Sequence, residues 1–174
     1  DDAGIAGIVT AGLDSVGLRV PAHPVAHALL RRMQDETDIR FAVENMYPWR
    51  VRGREIEAYL PHWDPVPQPY DNVTIDLSHT ASAGSDAMQM VRDLGDRLAH
   101  IHLTDGSGSL KDEHLVPGRG KMPVAETLQL LGASSWEGVI GVEINTRGAD
   151  DDEARDAMLA ESLDFARTHM ALGA

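Results

Sequence analysis

Cysteine is absent from the 174-residue chain. Neither a disulfide framework nor a thiolate ligand is available, so any metal must be held by His, Asp and Glu. Also lacking is an apolar run approaching the roughly 18 residues that a membrane span needs. No basic-then-apolar segment of the signal-peptide kind opens the sequence. These absences lead to the expectation of a cytoplasmic protein without a membrane partner. Positive charge is scarce as well: 15 Lys and Arg stand against 28 Asp and Glu, a formal charge of −13. Phosphate affinity comes from clustered Lys and Arg, so a broad DNA- or RNA-binding face is not expected. There is no short-period repeat and no low-complexity tract.

What is present suits one domain over residues 1–174, with 43% hydrophobic and 25% charged residues and length enough for a real core. The chain does not begin with Met, and Asp1-Asp2 reads like the middle of something, which leaves room for a leader or further domain upstream. Short β-rich runs alternate with amphipathic helical stretches, the pattern of an α/β protein with parallel strands. The expected strands are Val16–His23 (weakened at its end by Pro21), Ile39–Glu44, Val73–Leu77, Leu98–Leu103 and Val139–Ile144. Helices are expected from Pro24, with Val25, Leu29, Leu30 and Met33 on one face, and around Arg54–Leu60. A third, capped by Ser85 or Asp86, turns Met88, Val91 and Leu94 to the core. The last two run from Pro123, with Val124, Leu128 and Leu131 inward, and over Asp152–Met170, where Asp150–Glu153 suits a positive helix N-terminus. Met46–Trp49, Pro61–Pro69, Ser78-His79-Thr80 and the long stretch Thr104–Met122 read as loops.

Side chains alternate faces along a strand. Phe41 and Val43 therefore oppose Ala42 and Glu44; Ile75 and Leu77 oppose Thr74 and Asp76; Ile140, Val142 and Ile144 oppose Gly141 and Glu143. His100 and His102 share one face of their strand. One large apolar face and one small or polar face fit a barrel better than a doubly covered open sheet, because catalytic groups of a barrel sit at C-terminal strand ends. Glu44, Asp76, His102 and Glu143 succeed one another at 32, 26 and 41 residues, and a barrel of about 250 residues in eight units gives roughly 30 per unit. Three carboxylates and an imidazole converging without a basic partner would repel one another. A divalent cation resolves that conflict, and the O/N donor set suits Mn²⁺, Mg²⁺, Zn²⁺ or Fe²⁺.

Several further residues are candidates. His79, in Asp76-x-x-His79, offers a second ligand from the same turn, and Asp112-x-His114 has the spacing of two ligands to one ion. His100, deeper than His102, reads as substrate-facing or supporting. Gly118-Arg119-Gly120 is either a tight turn or a source of amides and a guanidinium for an anionic substrate. His23 is either a ligand or a satisfied turn residue.

The segments AVEN (Ala42–Asn45), DLSHT (Asp76–Thr80), HIHLTD (His100–Asp105), DEHLVPGRG (Asp112–Gly120) and GVEIN (Gly141–Asn145) resemble the xylose isomerase-like TIM-barrel superfamily. That group includes sugar phosphate isomerases and epimerases, inosose dehydratases and zinc-dependent apurinic endonucleases. The resemblance covers about residues 39–145. It implies a partial (β/α) barrel: five parallel strands are legible where the family has eight, the N-terminal βα units being absent or shortened. Open strand edges would then call for a missing segment or a partner chain. It further implies that Glu44, Asp76, His102 and Glu143 match the metal quartet of the ketose epimerases, the two glutamates being also the acid/base pair. His79 matches a substrate- or metal-contacting histidine, and Asp112 and His114 match an extra ligand pair of the endonuclease branch. The expected cofactor is therefore Mn, Mg or Zn, one to three ions.

The expected function is metal-dependent isomerisation or epimerisation of a small sugar, sugar phosphate or related polyhydroxy carbonyl compound, with His23, His100 and Arg119 as substrate-binding residues. The alternatives are a zinc-dependent phosphodiesterase and a non-catalytic metal- or sugar-binding relic. A carbohydrate substrate is the expected partner, and a homo-oligomer is compatible with the sequence.

Overall fold

The computed structural model describes residues 24–56 and 64–174. His23 and the expected strand Val16–His23 lie outside the described residues. The elements in chain order are helix α1 (Pro24–Asp35), strands β1 (Val43–Glu44), β2 (Trp49–Val51), β3 (Arg54–Ile56) and β4 (Val73–Asp76), and helices α2 (Leu77–Ala83) and α3 (Ala87–Leu94). After a 3₁₀ turn at Gly95–Arg97 come β5 (Leu98–Leu103), α4 (Val124–Gly132), β6 (Val139–Val142) and α5 (Asp152–Gly173). Among the described residues, no helix is long and apolar enough to cross a membrane.

Four strands form one parallel sheet in the order β1-β4-β5-β6. Each strand passes to the next through a crossover, as parallel pairing requires. The β4–β5 register shifts between Val73 and Thr74: Val73 pairs with Leu98, and Thr74 with His100. Ala99 is the extra residue of a bulge, which keeps Leu98 as well as Ile101 and Leu103 on the core side. That core joins Val73, Ile75, Leu77, Ile101 and Leu103 to Ala87, Met90, Val91 and Leu94 of α3 and to Val124, Leu128 and Leu131 of α4. Ala42 packs on Ala99 in a separate buried pair. The result is an open arc of β/α units covering part of a barrel.

Several local expectations are corrected. The helix expected around Arg54–Leu60 is replaced, over its described part, by an antiparallel hairpin of β2 and β3. Val51 pairs with Arg54, so Arg52-Gly53 is a two-residue turn, and both residues have positive φ (51° and 75°). This is the backbone that joins twisted strands most tightly, and glycine adopts it readily. The hairpin also takes Trp49 out of the expected loop. The strand expected over Ile39–Glu44 shrinks to Val43–Glu44, because side chains capture the earlier backbone. Gln34 accepts from Phe41 N and donates to Ile39 O, and Thr37 Oγ1 accepts from Ile39 N, each at 2.8 Å.

Ser78-His79-Thr80 is helix rather than loop: Asp76 caps α2 by accepting from His79 N at 2.8 Å, so Leu77 is its first helical residue. Asp86 caps α3. The helix begins at Ala87, which buries Ala87, Met90, Val91 and Leu94 and leaves Met88 only half-buried. Leu29, expected inward, is exposed, whereas Leu30 packs on the core. The last strand stops at Val142, with Glu143 and Ile144 beyond it.

Candidate metal centre

The C-terminal ends of β1, β4, β5 and β6 bring four carboxylate and imidazole side chains together. In register, Asp76 lies beside His102, and His102 beside Gly141, with Glu143 two residues further on. One ligand-type atom from each of Glu44, Asp76, His102 and Glu143 falls within 4.8 Å of all the others. His102 Nδ1 is their focus, at 2.9 Å from Glu44 Oε1, 2.9 Å from Glu143 Oε2 and 3.5 Å from Asp76 Oδ2. Glu44, Asp76 and His102 are buried; Glu143, past the end of the outermost strand, is exposed.

A second group adjoins the first. Asp76, His79 and His114 also place ligand atoms within 4.8 Å of one another. His79 Nδ1 is 2.9 Å from Asn45 O. A carbonyl only accepts, so Nδ1 carries the proton and Nε2 is left toward Asp112 Oδ2 at 3.5 Å. Asp112 Oδ1 lies 3.1 Å from His114 Nε2. Asp76 serves both groups: its Oδ1 caps α2, while its Oδ2 is buried without a hydrogen-bond partner, as is His114 Nε2.

Electrostatics follow from this crowding. Burial pushes the His102 imidazole down, but the Asp76, Glu143 and Glu44 carboxylates gathered around Nδ1 outweigh it and carry its pKa up to about 12. Burial likewise opposes the charged form of His79, yet the Asp76 charge and the Asp112 and Glu44 carboxylates raise it to about 10. Burial raises the Glu44 carboxyl. Glu143 is lowered by its hydrogen bond to His102, against the opposing effect of burial. His100, buried and next to the charged His102, falls to about 4 and is neutral at physiological pH. With protons alone to balance them, the carboxylates hold both neighbouring imidazoles charged.

A buried carboxylate oxygen and an imidazole nitrogen that meet charged neighbours but no hydrogen-bond partner, within a set of O and N donors, fit a hard or borderline divalent cation. Glu44, Asp76, His102 and Glu143 could hold one ion, and Asp76, His79 and His114, with Asp112 beside them, could hold another.

The remaining candidates stand apart. His100 lies beneath the first group: it meets His102 edge-on at 4.8 Å between ring centroids, and its Nδ1 is buried without a partner. Gly141 leaves space above it, since a Cβ there would come 3.1 Å from His100 Nε2. Arg119 is not among the converging side chains. It is exposed and donates to Glu161 of α5, from Nε at 3.0 Å. The amides of Gly118 and Gly120 go to Asp105 Oδ2, each at 3.0 Å, so Gly118-Arg119-Gly120 is an internal turn and its amides are not free for an anionic substrate.

Three positioning groups carry no signal that periodicity detects. Asn45, fully buried, accepts from Asp76 N at 2.6 Å and donates to Asp76 O at 3.1 Å, extending the β1–β4 pairing by a side chain. Ser78 Oγ donates to Asp112 Oδ1 at 2.7 Å and accepts from the amides of Glu113 and His114. Tyr47 stacks obliquely on His79, with ring centroids 5.0 Å apart. Asn45 and Ser78 do sit inside the short motifs that carry the ligands.

Parallel β/α units with acidic and imidazole side chains converging at their C-terminal strand ends define a barrel-type protein with its site at the strand mouths. The chain belongs to the xylose isomerase-like TIM-barrel family, which matches residues 26–169. It is 41% identical over 157 residues to an uncharacterized protein of Mycobacterium tuberculosis, covering 79% of this chain and 56% of that protein. It is 33% identical over 81 residues to the fructoselysine 3-epimerase of Escherichia coli O157:H7, covering 47% of this chain and 29% of the enzyme. Among solved structures, a D-tagatose 3-epimerase-like protein superposes with a TM-score of 0.56 at 24% identity, over 81% of this chain and 53% of that one. The chain spans about half the length, or less, of these relatives.

Proposed function

We propose that this chain carries the metal-binding and proton-transfer half of a sugar isomerase or epimerase. The observation that supports this reading best is the convergence of Glu44 and Glu143 on His102 Nδ1, with Asp76 beside them. Glu44, Asp76, His102 and Glu143 would hold a divalent ion (Mn, Mg or Zn). Such an ion supplies Lewis acidity toward a carbonyl and its neighbouring hydroxyl.

The chain's own part is proton transfer between two carboxyls in unlike settings. Glu143, exposed at the mouth of the site, suits removal of a proton from the carbon next to the carbonyl. Glu44, buried at the opposite edge of the sheet, would return a proton to that carbon or its neighbour. Two carboxyls in unlike surroundings let one site supply both acid and base. His100, neutral and unpartnered at Nδ1, is suited to orient a substrate hydroxyl. The likeness to a fructoselysine 3-epimerase supports a small polyhydroxy carbonyl substrate.

The test is solvent exchange. A panel of ketoses and ketose phosphates is incubated with the metal-loaded protein in D₂O, and deuterium incorporation is followed by NMR. Glu143→Gln should fold and lose exchange by roughly a hundredfold or more, the usual scale of a general base. Unchanged exchange in that variant would sink the assignment.

One observation favours a second reading. Asp112 and His114, beside Asp76 and His79, resemble the extra ligand pair of the zinc-dependent endonucleases. Metal counting separates the two: several Zn²⁺ per chain favours hydrolysis, and a single Mn²⁺ or Mg²⁺ favours the isomerase.

A further inference from the structure

The loop between β5 and α4 carries Asp112 and His114 into the site, yet it contains no regular element beyond one bridge. That bridge joins Asp105 to Leu115 through Asp105 N to Leu115 O (2.9 Å) and Leu115 N to Asp105 O (2.8 Å). The Asp105 side chain does more. Its Oδ1 accepts from Gly106 N (2.8 Å) and Met122 N (3.1 Å), and its Oδ2 from Gly118 N and Gly120 N (both 3.0 Å). Residues 106 and 122 flank the loop, and residues 118 and 120 form its returning arm. Only 1% of Asp105 is exposed.

Four amide donors converging on one buried carboxylate replace the water and countercharge it would otherwise need. The surroundings leave no slack. A Cβ at Gly120 would overlap Asp105 Oδ1 and come 2.5 Å from Gly106 O, so only glycine lets the returning arm approach so closely. Meanwhile His114 holds a left-handed backbone, φ 48°, unusual for a residue with a Cβ. That conformation persists only where its surroundings over-determine it. Ser78 fixes the tip of the turn from α2, and Asp105 fixes its two arms.

We propose that Asp105 is a positioning residue: it clamps the arms of the 104–122 loop and so sets Asp112 and His114 beside Asp76 and His79, without contacting the ligands itself. The consequence is selective. The group of Asp76, His79 and His114 depends on Asp105. The quartet takes Glu44, Asp76 and His102 from strands and Glu143 from just past β6. The loop reaches it through the backbone, where Asn145 N, two residues beyond Glu143, donates to His114 O at 2.7 Å, so the quartet depends on Asp105 far less. This inference rests on the metal reading above only for its binding readout.

The test compares the wild-type chain with Asp105→Asn and Gly120→Ala. An Asn amide offers one accepting oxygen, so two of the four amides lose their acceptor. Gly120→Ala keeps the carboxylate but forces the returning arm outward. Hydrogen exchange across residues 106–122 should accelerate at least roughly tenfold in either variant, with β4 and β5 unchanged. Calorimetric titration with Zn²⁺ should lose one ion per chain and retain the other. Unchanged loop exchange overturns the proposal, as does simultaneous loss of both ions with general acceleration of exchange, which marks a merely structural residue. If Asp105→Asn fails to fold, Gly120→Ala decides alone. A wild-type chain that binds no Zn²⁺ overturns the metal reading instead, and loop exchange then still decides the role of Asp105.

Discussion

Metal binding by this chain should expel protons, and the number follows from the site. In the metal-free protein His102 titrates near 12 and His79 near 10, because carboxylates surround them. An unperturbed imidazole titrates near 6.5. At pH 7.5 both are therefore fully protonated, whereas a ligating imidazole must be neutral. Binding of the first ion through His102 should release about one proton, and engagement of His79 and of His114, which Asp112 and Asp76 also raise against burial, at least one more. The sign is fixed by the direction of the shifts. Raised pKa values mean that the metal-free state holds the extra protons, so affinity climbs with pH, by roughly tenfold per unit for each proton displaced.

That climb should persist from about pH 6.5 to 9, since both groups titrate above this window. The same raised values make the metal-free protein lose part of its stability as pH rises above about 6.5, through about 10 for His79 and about 12 for His102, the opposite trend to metal affinity. The assay is Zn²⁺ or Mn²⁺ titration calorimetry at pH 7.5 in buffers of differing ionisation enthalpy. The slope of apparent enthalpy against buffer enthalpy counts the protons. A slope of zero, or proton uptake, would refute the argument that carboxylates hold His102 charged in the empty quartet.

Two further outcomes test the scaffold. Asn45→Ala removes the side chain that pairs with both backbone groups of Asp76. It should cost about 1–3 kcal/mol, because a buried amide loses its acceptor; urea denaturation measures this, and a midpoint within error of wild type would count against the role. Ser78→Ala leaves Asp112 Oδ1 and the amides of Glu113 and His114 without their shared hydroxyl. A comparable loss of about 1–3 kcal/mol is expected, with weaker Zn²⁺ binding at the second group and the first group spared. Equal weakening of both ions, read by titration, would contradict the separation of the two groups.

Much of the fold was legible because burial imposes a period. Leu98–Leu103 and the helix at Val124 read correctly, since each carries a continuous apolar face, and the helix at Asp152 was legible from its acidic first turn. The errors fall where a side chain competes with the backbone ladder. Gln34 and Thr37 capture the segment before Val43, and Asp76 converts the strand end at once into a helix. The hairpin at Arg52-Gly53 was missed because Arg52 is a non-glycine residue in the left-handed region, which no pattern of hydrophobicity records.

For the site, sequence alone determined which residues lie on the polar face at the C-terminal ends of their strands. Alternation places Glu44, Asp76, His102 and Glu143 there whatever the details of packing, because a one-residue slip would bury charge in the core. Only the tertiary structure decided how they meet. The stagger of parallel strands brings Asp76 level with His102 and sets Glu143 two residues above Gly141. It also decided that Arg119 turns to Glu161, that the glycine amides serve Asp105, and that Asp105 and Ser78 hold the loop carrying Asp112 and His114. Those contacts join residues 13 to 42 positions apart. They depend on where a loop returns in space, and no local period encodes that.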